Sequence, residues 1–233
     1  KYTLNQSNPY ENRDPRLDYT ILHHGSSWLN NTLDISIGGV NNPSNSAEYS
    51  KTGYYMCKFM GKFGEESQYG NKIHLWVMFR YAEMLLNYAE AVYERDDKIS
   101  NTDLNISLNL VRLRVNPAMT PLTNELITQN AGMDMRTEIR RERTIELFNE
   151  GFRLDDLKRW KTAETEMPMD IVGIQWKGTE YEKVWANCPY ETNAEGCIII
   201  EKGRKWEEKN YLFPLPSDQL QLNPNLQQNP GWE

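Results

Sequence analysis

The chain has 233 residues, enough for one large domain or two small ones around a real hydrophobic core. Its 33 acidic residues against 26 basic ones leave a net charge of −7, which argues against nucleic acid as a partner, because phosphates demand an excess of Lys and Arg. The longest apolar runs, such as Leu75 to Phe79 and Cys197 to Ile200, are far too short to cross a membrane.

Seven Trp and 13 Tyr outnumber six Phe, a bias toward rings that pair an apolar plate with a polar handle and suit ligand-facing surfaces. The opening residues, Lys1 to Gln6, are polar and form no secretory signal, so the chain reads as a mature or truncated product. Its three cysteines, Cys57, Cys188 and Cys197, close no disulfide framework. Cys188 and Cys197 flank a short polar loop and could pair in an oxidising compartment; free thiols are the alternative.

Residues 1–72 are punctuated by Asn8-Pro9-Tyr10, Arg13-Asp14-Pro15-Arg16, Gly38-Gly39 and Asn41-Asn42-Pro43, which predicts a loop-rich segment with short extended pieces such as Asp18 to His23. A helical core is expected over 73–166. From Ile73 onward, Met78, Ala82, Leu85, Leu86, Ala89 and Val92 recur at three- and four-residue spacing and define an apolar helix face, with Arg80, Glu83, Asn87, Glu90 and Glu94 opposite. A second helix is expected from Asp103 to Arg114, capped by Asn101 or Thr102 and ended by Pro117. Such a pair is the helical hairpin of tetratricopeptide-type repeats.

A third helix is expected from Asp134 to Phe148, largely a solvated face of Arg and Glu paired along the helix. Glu142 and Glu146 share a stripe with Met135 and Ile139, so one of them must point inward and be paired. Gly151 stops this helix, and Leu154 to Lys161 reads as another. Residues 167–233 read as irregular, with hairpins turning at Lys177-Gly178 and Lys202-Gly203, one helical turn at Ser217 to Leu220, and a tail docked through Leu215, Leu220, Leu222, Leu226 and Trp232.

No catalytic constellation emerges. His23, His24 and His74 lack the third ligand a metal site needs, no nucleophile elbow or phosphate cradle is present, and no cofactor is implied. The carboxylates Glu138, Glu142, Glu146 and Glu150 form a one-face row, but interleaved arginines hold them ionised, opposite to what a glycosidase acid needs. What remains is aromatic surface: Trp28, Tyr49, Tyr54, Tyr55 and Tyr69 early, and Trp176, Tyr181, Trp185 and Tyr190 late. Such rings either stack on sugar faces or pin loops to the body.

Four segments, in order along the chain, resemble the SusD/RagB family. They are Asn8-Pro9-Tyr10 with Arg13-Asp14-Pro15-Arg16; Phe79 to Ala91; Ile139 to Leu147 continued by Glu150-Gly151-Phe152-Arg153 and Asp156 to Trp160; and Tyr211 to Pro216 with Asn223-Pro224-Asn225-Leu226 and Gln228-Asn229-Pro230-Gly231. The resemblance implies a mainly α fold on tetratricopeptide-like hairpins, with loop-rich excursions and a few short β hairpins. It implies the C-terminal part of a non-catalytic outer-membrane lipoprotein whose lipid-bearing cysteine is absent from this chain. Such a protein captures glycan for a SusC-like TonB-dependent transporter; a helical-repeat scaffold binding proteins or peptides is the alternative. Arg80, Glu83, Arg140, Glu142, Arg153 and Trp160 are expected to hold helices together. The expected ligand contacts are Trp28, Tyr49, Tyr54 and Tyr55, aromatics in the loops that follow Arg16.

Overall fold

The computed structural model describes residues 8–28, 30–42, 50–60, 77–183, 185 and 189–233. Two compact units emerge, residues 1–151 and 152–233. Tyr49, Tyr69, Cys188 and Val184 lie outside the described residues. The helix expected from near Ile73 begins only at Tyr81, because Arg80 before it is extended, and Met78, expected on its apolar face, is exposed outside it.

In the first unit, residues 16–20 form a single helical turn, α1 (Arg16–Thr20), where the sequence predicts extended chain. Two local causes account for it. Pro15 presets a helical φ of −57°, and the Asp14 carboxylate accepts the Arg16 N–H at 2.9 Å, as a cap would. The extended part shrinks to β1 (Ile21–Leu22). Next comes a hairpin of β2 (Ser27–Trp28) and β3 (Asn31–Thr32), joined by two residues of which Asn30 takes a φ of 62°, the left-handed region that such tight turns require. β1 then pairs antiparallel with β4 (Tyr55–Met56), setting Leu22 beside Tyr55.

Between these strands, residues 34–42 close on themselves. Asn41 N–H donates to the Asp34 carbonyl at 2.8 Å, and the buried Asn42 amide donates to Ile35 and Ser36 carbonyls at 3.0 and 2.8 Å. Gly39 is required there, since a Cβ would fall 2.5 Å from the Asp34 carboxylate.

The helices follow. α2 (Tyr81–Asp96) buries Ala82, Leu86 and Ala89 as its spacing predicts, and ends at Asp97, whose φ is 51°. Glu83 and Glu90, expected on the polar side, are buried instead. The reason at Glu90 is a neighbouring helix on that side, which brings the buried Arg143 guanidinium to 4.0 Å from Glu90 and 2.7 Å from the Asn87 amide oxygen. The single helix expected over 103–114 is two, α3 (Asn101–Asn105) and α4 (Leu108–Val115). Ser107 breaks it, with φ −134° and ψ −100°, and Ser100 is the cap, accepting the Asp103 N–H at 3.0 Å. A further helix, α5 (Asn124–Gln129), is capped by Thr123.

The segment before α5 is tied down by Asn109. Its amide donates to the Leu122 carbonyl at 3.0 Å and accepts the Leu122 N–H at 2.8 Å, with both residues buried. α6 (Met135–Glu146) starts at Asp134, whose carboxylate accepts the Thr137 N–H at 2.8 Å, and packs Met135 and Ile139 against α2 and α4. Its surface ion pairs run mostly between helices: Arg136 and Arg140 both reach Glu94, and Arg136 also reaches Asp97. Arg141 with Glu138 is the pair along the helix.

The second unit opens with α7 (Arg153–Arg159) and α8 (Ala163–Glu166). The two local hairpins expected here are one long-range pair, β5 (Ile171–Gln175) against β6 (Cys197–Glu201). Gly178 does turn the chain, at φ 77°, but Thr179 then caps a short 3-10 helix and Trp185 sinks into the core, so the return strand comes only at 197. Cys197 and Cys57 are free thiols. The tail forms α9 (Ser217–Leu222) but leaves Leu222 and Leu226 exposed, against expectation. Polar contacts hold it instead. Gln228 exchanges hydrogen bonds with Leu215 at 2.7 and 3.0 Å, and the Trp232 indole N–H donates to the Lys209 carbonyl at 3.0 Å. Lys158 and Lys161 stand 3.8 and 3.6 Å over the rings of Phe213 and Tyr211.

Asn109→Ala strands both polar groups of Leu122 in the core. It is expected to cost about 2–3 kcal/mol in urea denaturation, whereas the same change at exposed Asn225 should leave stability within about 0.5 kcal/mol.

Candidate functional site

The first unit is organised around one carboxylate. Glu146, the last residue of α6, is buried, yet three guanidinium groups meet it: Arg80 at 2.6 Å, Arg114 at 2.8 Å and Arg16 at 3.0 Å. Each comes from a different element, since Arg16 opens α1, Arg80 precedes α2 and Arg114 lies in the last turn of α4. Glu142, one turn back, is also buried and stands 2.7 Å from Arg16 and 3.2 Å from Arg112. Where one inward glutamate was expected from the shared stripe, both are buried.

Glu150 extends the cluster. Arg80 grips it with two nitrogens, both at 2.7 Å, and Lys58 approaches at 2.6 Å. Lys58 also donates to the carbonyls of Glu146 and Phe148 at 3.0 and 2.8 Å, satisfying the open end of α6 with a cation where the helix dipole favours one. Asp14 closes the other side, accepting from Arg16 at 2.7 Å.

Electrostatics follow from this geometry. Burial pushes the Glu146 carboxyl up, but the hydrogen bond from Arg80 and the charges of Arg114 and Arg80 outweigh it, leaving the group below the ordinary glutamate range. Glu150 is lowered in the same way against burial by Arg80 and Lys58, and Asp14 by Arg16. All three therefore stay ionised.

Of the expected ligand contacts, Trp28, Tyr54 and Tyr55 lie in the segment that this cluster fastens. Trp28 sits in the β2–β3 hairpin, partly exposed, with Asn30, Asn31 and Thr32 exposed beside it. Tyr54 meets the Tyr10 ring edge-on at 6.3 Å between centroids, and Tyr10 stacks on His23 at 3.7 Å. Tyr55 lies in β4, its hydroxyl donating to the Asn41 carbonyl at 3.3 Å. Tyr54 and Tyr55 thus brace the base of the loop region while Trp28 sits on its hairpin. In the second unit Tyr181 and Trp185 are buried and Trp176 donates to Thr192 at 3.2 Å, so these rings pin loops.

Sequence reasoning passed over two exposed rings, Tyr19 and Phe59, which flank a cavity of about 490 Å³ above the Glu146 cluster. Tyr19 was hidden by the unrecognised turn of α1. Phe59 takes a φ of 66°, a left-handed conformation that no glycine signalled.

The ionised state of these groups favours the fold, so their contribution is complete above the ordinary values of 4.5 for glutamate and 3.8 for aspartate. It disappears as pH falls through the lower folded-state values. Thermal midpoints measured from pH 7 down to 3 should therefore drop below pH 4.5. Glu146→Gln should cost about 3–5 kcal/mol at pH 7, because it leaves three arginines around a neutral group, and should flatten that pH dependence.

The model of the SusD family matches residues 1–232. No curated protein matches the chain. Among solved structures, a SusD-like carbohydrate binding protein from Bacteroides fragilis NCTC 9343 is 28% identical with a TM-score of 0.73, over 97% of this chain and 44% of that one. A second SusD-like protein from the same organism is 28% identical with a TM-score of 0.68, over 95% of this chain and 40% of its own. A SusD homolog from Bacteroides thetaiotaomicron VPI-5482, 24% identical, shares the fold at a TM-score of 0.51 over 94% of this chain and 41% of that chain. The chain thus spans less than half the length of these structures. With a family match running almost end to end and a mostly helical architecture to go with it, the chain belongs to the SusD family.

Proposed function

We propose that this chain is the C-terminal part of a non-catalytic protein that captures oligo- or polysaccharide at the bacterial outer membrane and passes it to a SusC-like TonB-dependent transporter. The observation that supports it most is the Trp28 hairpin. It offers an aromatic plate beside exposed Asn30, Asn31 and Thr32, the pairing of a flat apolar face with amide and hydroxyl groups that a sugar ring calls for. The B. fragilis SusD-like carbohydrate binding protein supports the same reading. Tyr54 and Tyr55 supply partly exposed rings in the same loops, and Tyr49 belongs to the set by its place in the sequence. Attachment to the membrane is by an N-terminal lipid, and the arginine-held carboxylates serve as fasteners.

A protein-contact role has an observation of its own. Met78, Phe79 and Tyr81 are 86%, 63% and 71% exposed at the start of α2, a face that suits another polypeptide.

A glycan array followed by titration calorimetry tests capture directly. Trp28→Ala is expected to weaken the best glycan hit about tenfold, near 1.4 kcal/mol, with unchanged circular dichroism. Unchanged affinity removes Trp28 from the site, and silence of a folded protein across the array favours the protein-contact reading.

A further inference from the structure

The cavity above the Glu146 cluster combines two features that packing alone does not require. The first is Phe59. It is the third residue of a turn closed by the Met60 N–H on the Cys57 carbonyl at 3.0 Å, a position with φ 66° that glycine fills without cost. A bulky aromatic in this conformation is strained, and such strain persists where the surroundings enforce it. Lys58, clamped on Glu150 and the end of α6, enforces it from one side, and the residue is left 44% exposed. Tyr19, which lines the same cavity, is 74% exposed. Two accessible rings therefore face one space of about 490 Å³.

The second feature is charge placement. Asp14, Glu142, Glu146 and Glu150 stand against Arg16, Lys58, Arg80, Arg112 and Arg114, four negative against five positive. The carboxylates are turned inward, with side-chain exposures of 25% for Asp14, 4% for Glu142, 3% for Glu146 and 9% for Glu150. Arg114 is 56% exposed at the cavity, and only its Nη2 is held by Glu146. Among the described residues, the opening thus presents a guanidinium with planar donors to spare and no accessible carboxylate. Guanidinium matches a carboxylate in a two-point fit.

We infer that this cavity is a second sugar subsite, apart from the Trp28 hairpin, that takes an acidic sugar: a uronic acid ring between Tyr19 and Phe59, its carboxylate on Arg114. The inference rests on the capture reading and narrows its substrate class.

Calorimetry with an oligogalacturonate and a neutral galacto-oligosaccharide of equal length tests it. The uronide should bind at least tenfold more tightly than the neutral chain, and its affinity should fall with added salt. Phe59→Gly relieves the strained turn, so the variant keeps its fold, and it should lose at least tenfold in uronide affinity. Tyr19→Ala, at an exposed position, should do the same, while Asn225→Ala, exposed in the second unit, should leave uronide binding in place. Parent affinity in both Phe59→Gly and Tyr19→Ala overturns the inference. Loss only in Trp28→Ala, or silence toward the uronide with neutral glycans still bound, overturns it and leaves capture standing. Silence toward every glycan overturns both.

Discussion

A single buried carboxylate, Glu146, is where the first unit is tied together. Desolvating one glutamate is costly, and desolvating an arginine nearby is no cheaper, so neither is tolerable without the other. Here the mutual need is shared among four elements: α1, the entry to α2, the end of α4 and the end of α6 all send a charged group to one point. Such a cluster adds less net stability than an apolar core of the same volume. Its effect is on specificity, because any misplacement of one element leaves a charge buried without its partner.

This constraint explains why a segment so poor in regular structure keeps a defined shape. The described parts of residues 8–60 contain two short strand pairs and one helical turn, too little to fix themselves. They are anchored at both ends, by Arg16 near the start and Lys58 near the finish, to the same end of α6. Between the anchors hang the Trp28 hairpin and the self-closed loop 34–42. A rigid helix end thus positions loops whose side chains remain available to a ligand, the usual division of labour between scaffold and binding loop.

How much of this was legible depended on whether the signal was local. α6 was readable in nearly full detail, with Asp134 as its cap and Met135 and Ile139 as its core face, because capping and periodicity are properties of adjacent residues. The inward turn of Glu142 and Glu146 was readable for the same reason, but their partners were not, since Arg16 is 130 residues from Glu146. β5 and β6 show the limit from the other side: glycine turns at 178 and 203 promised two local hairpins, and a distant pairing won once Trp185 found the core. Glu83 and Glu90 followed the helical period faithfully and were still misplaced, because burial there is decided by α6. Tyr19 and Phe59 left no trace in composition or spacing. Their exposure comes from a helical turn set by Asp14 and Pro15, and from a left-handed residue that is not glycine.

The account turns on the claim that the Glu146 cluster holds the loop region in place. Amide hydrogen exchange in Glu146→Gln, compared with the parent chain at neutral pH, measures this element by element. The account predicts faster exchange across the described parts of residues 8–60, including the Trp28 hairpin and the turn at Phe59, with α5 as protected as before. Unchanged protection in those loops, or a loss spread evenly over α5 as well, would contradict it.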